Sequence, residues 1–505
     1  MRRNSTLGLL LTLGVAAGLA AAGCTKKEAP APPAAAEAAP PTPANGGKIP
    51  ITTSSPAAKE EFLKGRDMVD KLLITDSIAH FQKAVELDSN FAMAELSLAG
   101  SAPTAKEFFE HLRRAVNLAD KASNGEKLLI LATEAGANAL PRTQKEHLDA
   151  LLAAYPNDER AQFAMGGYYF GQQDYPKAIE NYKKATELNG NYSSAFNLLG
   201  YAYRQNGDYA NAEKAFQKYV ELIPKDPNPY DSYAELLMKM GRFDDSIAQY
   251  RKALAIDPNF VNAHQGIAMD LLYLGKPAEA AAELDAMTKK ARTDAERRTA
   301  LFASTVLNVD GGKSAKALAD VDKQYALGDK TKDTAAMSGD LVLRGNILLE
   351  LGKPAEADKQ FQLASKMIQD SNLSQQIKDN NLRFVHFNNA RVALAKKDFA
   401  KAKAETEEFR KMAEAANNPN QVKLAHELAG SIALAEKNYD TAIAELQQAN
   451  NQNPYNAYRL CKAYQGKGDA AKAAESCKQA AAFNSLPNLN YAFIRTKAKA
   501  GEKKG

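Results

Sequence analysis

SSAFNLLGYAYRQNGDYANAEKAFQKYVELIPKD, residues 193 to 226, runs without a gap into PNPYDSYAELLMKMGRFDDSIAQYRKALAIDPNF, residues 227 to 260. The two stretches match in the placing of small, aromatic and turn residues over 34 positions, and the same phase holds in Glu159 to Tyr192 before them and Val261 to Asp294 after them. Within each block the eighth, twentieth and twenty-seventh positions are mostly small: Gly166, Ala178 and Ala185; Gly200 and Ala212; Ala234, Ser246 and Ala253; Ala268 and Ala280. Antiparallel helices approach closely only where side chains are small, so these positions mark the crossing of a helical hairpin. Larger apolar residues flank it, at Met165, Tyr169 and Tyr182, at Leu199, Tyr203 and Phe216, and at Tyr233, Leu237 and Tyr250. Turn chemistry recurs between the helices, in Gly171 to Asp174, Asn206 to Asp208, Gly241 to Asp244 and Gly275 to Pro277, and Pro224 and Pro258 stop the second helix of their blocks.

This pattern resembles the tetratricopeptide repeat family, in which helix-turn-helix units of 34 residues stack. Projecting the phase outward finds Ser338 to Ser371 and Lys423 to Asn456, a last unit near Pro454, and weaker copies from Ala58, Gly125, Arg298 and Arg383, while the phase blurs over 92–124. The resemblance implies an all-α, right-handed α-solenoid of about 11–12 units. The expected divisions are degenerate units over 58–158, four regular units over 159–294, further units over 295–487, and a capping helix with a basic tail over 488–505. That tail holds Arg495, Lys497, Lys499, Lys503 and Lys504 and reads as solvated.

Ahead of the repeats, Arg2 and Arg3 precede an apolar run from Leu7 to Ala22 and then Gly23-Cys24, the pattern of an export signal over 1–23. Ala21-Ala22-Gly23-Cys24 resembles the lipobox of bacterial lipoproteins, although Ala21 stands where Leu is commoner, and implies lipidation of Cys24. Several acyl chains on one residue anchor a protein stably. Thr25, rather than Asp, implies an outer-membrane destination facing the periplasm. Residues 24–57 are rich in Pro and Ala and read as a disordered tether.

The formal net charge of +5, together with export, argues against nucleic acid. Of three cysteines, Cys461 and Cys477 remain once Cys24 is lipidated; they fall on facing helices of the last unit, as a disulfide or as two buried thiols. The six histidines are dispersed outside metal-ligand spacing, so no metal or cofactor is expected. Gly311-Gly312-Lys313-Ser314 imitates the end of a phosphate loop, but Leu307 stands where its first Gly belongs, and the repeat calls for a turn there. No nucleophile elbow appears, so the chain is not expected to be an enzyme.

Function then rests with the concave surface of the first helices. By the family's pattern this surface carries Arg160 and Phe163, then Asn197, Tyr201, Arg204 and Gln205, then Asn228, Asp231, Glu235, Met238 and Lys239, then Asn262, Gln265, Met269 and Tyr273. Such amide, aromatic, guanidinium and thioether groups suit an extended peptide. The family's carboxylate clamp fails here, since Phe163, Gly167, Leu198, Asn228 and Ser232 occupy its positions. The expectation is a lipid-anchored, non-catalytic scaffold or adaptor in the bacterial cell envelope that binds protein or peptide segments. The alternative is an exported protein that binds glycans or small ligands.

Overall fold

The computed structural model describes residues 47–71, 73–103 and 105–502, and Cys24, Lys503 and Lys504 lie outside them. Among these residues the chain forms twenty-five α-helices and no strand. They are α1 (Pro56–Asp70), α2 (Ile74–Leu87), α3 (Ala92–Ser101), α4 (Ala105–Leu118), α5 (Asn124–Ala137), α6 (Pro141–Ala154), α7 (Glu159–Gly171), α8 (Tyr175–Leu188), α9 (Ser193–Gln205), α10 (Tyr209–Leu222), α11 (Asn228–Lys239), α12 (Phe243–Ile256) and α13 (Val261–Tyr273). There follow α14 (Pro277–Lys290), α15 (Asp294–Asp310), α16 (Ser314–Thr331), α17 (Thr334–Glu350), α18 (Pro354–Gln369), α19 (Gln375–Ala395), α20 (Phe399–Ala415), α21 (Pro419–Ala435), α22 (Tyr439–Gln448), α23 (Pro454–Lys467), α24 (Ala470–Ala481) and α25 (Leu489–Glu502). The helices divide into two compact units, 1–223 with 374–380, and 224–373 with 381–505.

Successive helices pair as twelve hairpins, with α25 left over, and the physical cause of each pairing is the one legible in the sequence. A Cβ added at Gly200 would stand 2.7 Å from the Phe216 ring, and one at Gly345 would stand 2.4 Å from Phe361, so the aromatic ring of the second helix lies where only glycine leaves room. Ala178, Ala212, Ala234, Ala253 and Ala280 are fully buried at the crossings. Acidic N-caps start several helices: Asp158 accepts from the Arg160 and Ala161 amides, and Asp174 and Asp208 accept from Lys177 and Asn211. Glycines with positive φ, such as Gly207 and Gly241, close the turns.

The repeat phase slips for a simple reason. Helices α7–α14 are 12–14 residues long, whereas α15–α21 are 16–21. The first helices of the later hairpins accordingly begin at Asp294, Thr334, Gln375 and Pro419, intervals of 40, 41 and 44 residues. A 34-residue projection therefore falls out of register there, although the hairpins continue. The blurred stretch 92–124 is likewise a hairpin, α3 with α4, followed by a short 3-10 turn at Ala119–Lys121. Gly311 to Lys313 is the turn between α15 and α16, with Gly312 at φ 69°.

The tether requires a correction at its C-terminal end. Residues 48–54, expected to be free, lie bound in the first unit, and Pro56 and Ala57 already belong to α1, capped by Ser55. Lys48 pairs with Glu159, the Ile49 amide donates to Asp158 Oδ2 at 2.8 Å, the Thr52 amide donates to Glu126 Oε1 at 2.8 Å, and Thr53 Oγ1 donates to Asp88 Oδ2 at 2.6 Å. Ile49 and Ile51 pack on adjoining apolar clusters. The segment thus crosses the N-terminal ends of α7 and α5 and reaches the C-cap of α2, meeting Asp158 and Glu159, then Glu126, then Asp88. The Thr53 hydroxyl bond outweighs burial and holds Asp88 below the usual carboxylate range.

Candidate functional site

In the second unit, each first helix of four successive hairpins ends on a side chain able to bind: Lys239 closes α11, Tyr273 closes α13, Asp310 closes α15 and Glu350 closes α17. This row receives the chain's own C-terminal segment in sequence order. Lys239 Nζ donates to the Phe483 carbonyl at 2.7 Å and sits 4.0 Å from the centre of its ring. Tyr273 OH donates to the Ser485 carbonyl at 2.5 Å. Arg495 binds Asp310 through two bonds of 2.6 Å, and Lys497 binds Glu350 at 2.5 Å. Between these points Leu486 packs beside the α11–α15 cluster, while Tyr491, Ile494 and Ala498 of α25 are buried in the next one.

The electrostatics follow from this closure. Burial raises the Tyr273 hydroxyl above its ordinary value, so it stays a neutral donor. Burial works against the charge of Arg495, yet the Asp310 carboxylate more than compensates and holds the guanidinium above its ordinary value. The solvated basic tail expected for Arg495 and Lys497 is therefore corrected: both are paired, and Arg495 is 9 % exposed.

A second polar set lies further along the first helices of the same unit. Arg391 donates to Asn346 Oδ1 at 2.8 Å and is pushed down to about 10 by burial. Arg459 donates to Glu427 Oε1 at 3.0 Å, and Tyr455 OH donates to Glu350 Oε2 at 2.9 Å. Glu427 also accepts from Asn453 and Asn456, and although burial opposes it, Arg459 and these amides keep it below its ordinary value.

The residues expected to form an open concave surface are placed differently. Met238 and Met269 belong to the apolar core, and Asn197, Tyr201, Asn228, Asp231 and Glu235 are buried as well. Tyr201 stands edge-on to Phe216 with Arg204 4.7 Å over its ring. Burial and the neighbouring Glu235 push the Asp231 carboxyl well above its usual range. Gln265 is half-buried, and Lys239 and Tyr273 are the two members that join the row. Arg160 does not face a partner either: it makes a two-bond pair with Asp70 at the end of α1. Amide, aromatic and thioether groups were expected to line an open face; packing within the hairpin stack encloses most of them instead.

Cys461 on α23 and Cys477 on α24 stand 5.0 Å apart at Cα, joined as a disulfide. The dispersed histidines acquire a shared role: His80, His111, His264, His386 and His426 each bond through Nδ1 to a glutamate on the helix facing theirs, Glu61, Glu95, Glu283, Glu405 and Glu445. Among the described residues no group of three or more His, Cys, Asp or Glu comes together to hold a metal, and no helix is long and apolar enough to cross a membrane.

Tetratricopeptide repeat profiles match residues 145–191 and 163–227, and a TPR repeat profile matches 234–268. The chain is 27% identical over 218 residues to Superkiller complex protein 3 of Mus musculus, across 40% of this chain and 13% of the mouse protein. It is 28% identical over 132 residues to Small glutamine-rich tetratricopeptide repeat-containing protein 2 of Mycosarcoma maydis, across 26% of this chain and 37% of the other. The chain thus spans well under half the length of these relatives. A solved tetratricopeptide repeat protein from Parabacteroides merdae aligns over 65% of this chain and 100% of its own, with 16% identity and a TM-score of 0.32. With the 34-residue hairpins in place, the repeat profiles fall on helices α6–α13, and this stretch of the chain is built of tetratricopeptide repeats.

Proposed function

We propose that this protein is a non-catalytic scaffold, held to the periplasmic face of a bacterial outer membrane through lipid on Cys24, whose repeats bind segments of other envelope proteins. One observation carries the binding part: the repeats already hold protein segments, 48–54 in one unit and 483–497 in the other, through side chains placed on successive hairpins. A solenoid gains its surface by repeating such a position, so a segment of another protein meets the same chemistry. The names of relatives, a complex subunit among them, agree with a role in assembly. The anchor rests on the lipobox resemblance of Ala21 to Cys24.

Two experiments test the proposal. Capture from envelope extract on the mature chain carrying Cys24→Ser should retain defined proteins, each of which then binds the purified chain. If none does so, the scaffold reading fails. Full-length Cys24→Ser protein should appear in the soluble fraction; if it stays with membranes, the anchor assignment is wrong.

A further inference from the structure

The loop between α24 and α25 is held differently from the helix that follows it. In α25, Tyr491 is 2 % exposed and Ile494 and Ala498 are fully buried, so the helix is part of the core. Residues 483–488 are all half-exposed. The loop lies across the ends of α11 and α13 and is tied there by two side chains, Lys239 to the Phe483 carbonyl and Tyr273 to the Ser485 carbonyl. It fits that ledge poorly. Asn484 has φ 34°, left-handed and short of the roughly +50 to +70° at which asparagine is usually accommodated there, a conformation that glycine enters more freely. Ser485 Oγ is buried with no hydrogen-bond partner among the described residues. A strained residue and an orphaned hydroxyl at the points of attachment describe a segment kept in place because α24 and α25 tether it. Tethering supplies an effective concentration that its contacts alone need not supply.

Building on the scaffold reading above, we propose that the Lys239–Tyr273 ledge is a binding site for an uncharged peptide segment of a partner. That segment presents an aromatic residue and a leucine three positions later, with two carbonyls spaced as in Phe483 and Ser485. Residues 483–487 occupy the site in cis as a tethered competitor. The chemistry is read from the loop itself: a lysine ammonium over an aromatic ring and beside its carbonyl, a neutral tyrosine donor for the carbonyl two residues on, and an apolar flank that takes Leu486. A partner segment with glycine at the left-handed position and no orphaned hydroxyl fits better than the cis loop and displaces it, leaving α25 seated.

The test uses the mature chain carrying Cys24→Ser and two fluorescent peptides, the chain's own Ala481–Leu489 sequence and the same peptide with the Asn484→Gly and Ser485→Ala changes. Fluorescence anisotropy should show the altered peptide binding about tenfold tighter than the natural one. Loosening the loop in the protein with Phe483→Ala and Leu486→Ala should raise affinity for both peptides, and adding Lys239→Ala and Tyr273→Phe should abolish the gain. Improving the loop with Asn484→Gly and Ser485→Ala in the protein should lower affinity, which guards against a variant that simply fails to fold. Unchanged anisotropy in the loosened variant, with its far-UV circular dichroism intact, overturns the proposal. A loosened variant that instead dimerises, and is dispersed by peptide, assigns the ledge to a second copy of the chain and overturns the partner assignment. Peptide binding without any protein captured from envelope extract would sink the scaffold reading and leave the ledge standing; the reverse result would do the opposite.

Discussion

Asp270 offers the sharpest quantitative test of the second unit. It lies on α13, fully buried against α12, and neither carboxylate oxygen has a hydrogen-bond partner among the described residues. The Ser246 hydroxyl on the facing helix α12 donates to the Ala234 carbonyl at 2.8 Å. Burial pushes Asp270 up to about 8 from 3.8, with Ser246 opposing the rise and the Asp244 charge adding a smaller part to it. In the folded protein the group therefore binds a proton through a pH range where the unfolded chain has released it. Stability is greatest below the unfolded value and falls as pH climbs toward about 8, at ~1.4 kcal/mol per pH unit. Summed from 3.8 to neutrality, the loss is ~4 kcal/mol, an upper figure because local relaxation and water entry reduce it.

Asp270→Asn keeps the shape and removes the titration. Urea unfolding followed by far-UV circular dichroism at about pH 5 and about pH 7.5 should find the stability of the variant relative to the parent greater by ~3 kcal/mol at the higher pH than at the lower. Because many carboxylates titrate in this range, the informative quantity is the difference between the two pH profiles. Parallel profiles would refute the reasoning and mean that Asp270 has a partner or solvent access that the burial argument omits.

Three further outcomes follow from named contacts. Arg495→Ala leaves Asp310, whose side chain is 4 % exposed, buried without its partner, and should destabilise the protein by about 3–5 kcal/mol in urea unfolding; replacing both residues with apolar ones should recover most of that, and a loss no larger than that of Lys497→Ala would contradict the pairing. Peptide mapping without reductant should recover Cys461 and Cys477 as one cross-linked species, and Cys461→Ser with Cys477→Ser should lower stability by ~3 kcal/mol for a loop of this length; free thiols in protein from its native compartment would reject the bridge. Asp158→Ala removes both the cap of α7 and the acceptor for the Ile49 amide, for ~1–2 kcal/mol, and should expose residues 48–54 to limited proteolysis while Asp174→Ala, a cap bonded otherwise to Lys177 of its own helix rather than to that segment, does not.

The hairpins were legible because their causes are local. Gly200 must face Phe216 and Asp208 must cap α10, and both relations lie within one 34-residue block. Longer helices hid the later hairpins from a fixed period without weakening them. The groove was misplaced because the position that faces inward in a hairpin is not thereby open: Met238 and Met269 face inward and are covered. What covers or occupies a surface depends on contacts distant in sequence. Lys239 meets Phe483 across 244 residues, Tyr273 meets Ser485 across 212, and Arg495 meets Asp310 across 185. Nothing local distinguishes a basic tail that will find Asp310 and Glu350 from one left in water.

The two bound segments also bear on what kind of ligand such repeats can hold. Ile49 meets the α7 hairpin and Thr52 the α5 hairpin, three residues apart; Phe483 meets α11 and Ser485 meets α13, two residues apart. A chain advancing ~3.3 Å per residue crosses a helix layer of roughly 8–10 Å in two or three residues, so a non-helical segment keeps step with the hairpins at that interval. Where the segment becomes helical it advances only ~1.5 Å per residue, and in α25 the contacts accordingly move from main-chain carbonyls to the long side chains of Arg495 and Lys497. Recognition by backbone carbonyl is thus confined to the irregular stretch, 483–485, and recognition by charge to the helix. A partner that competes for the loop alone need carry no charge, whereas one that replaced the helix would have to bring its own cations to Asp310 and Glu350.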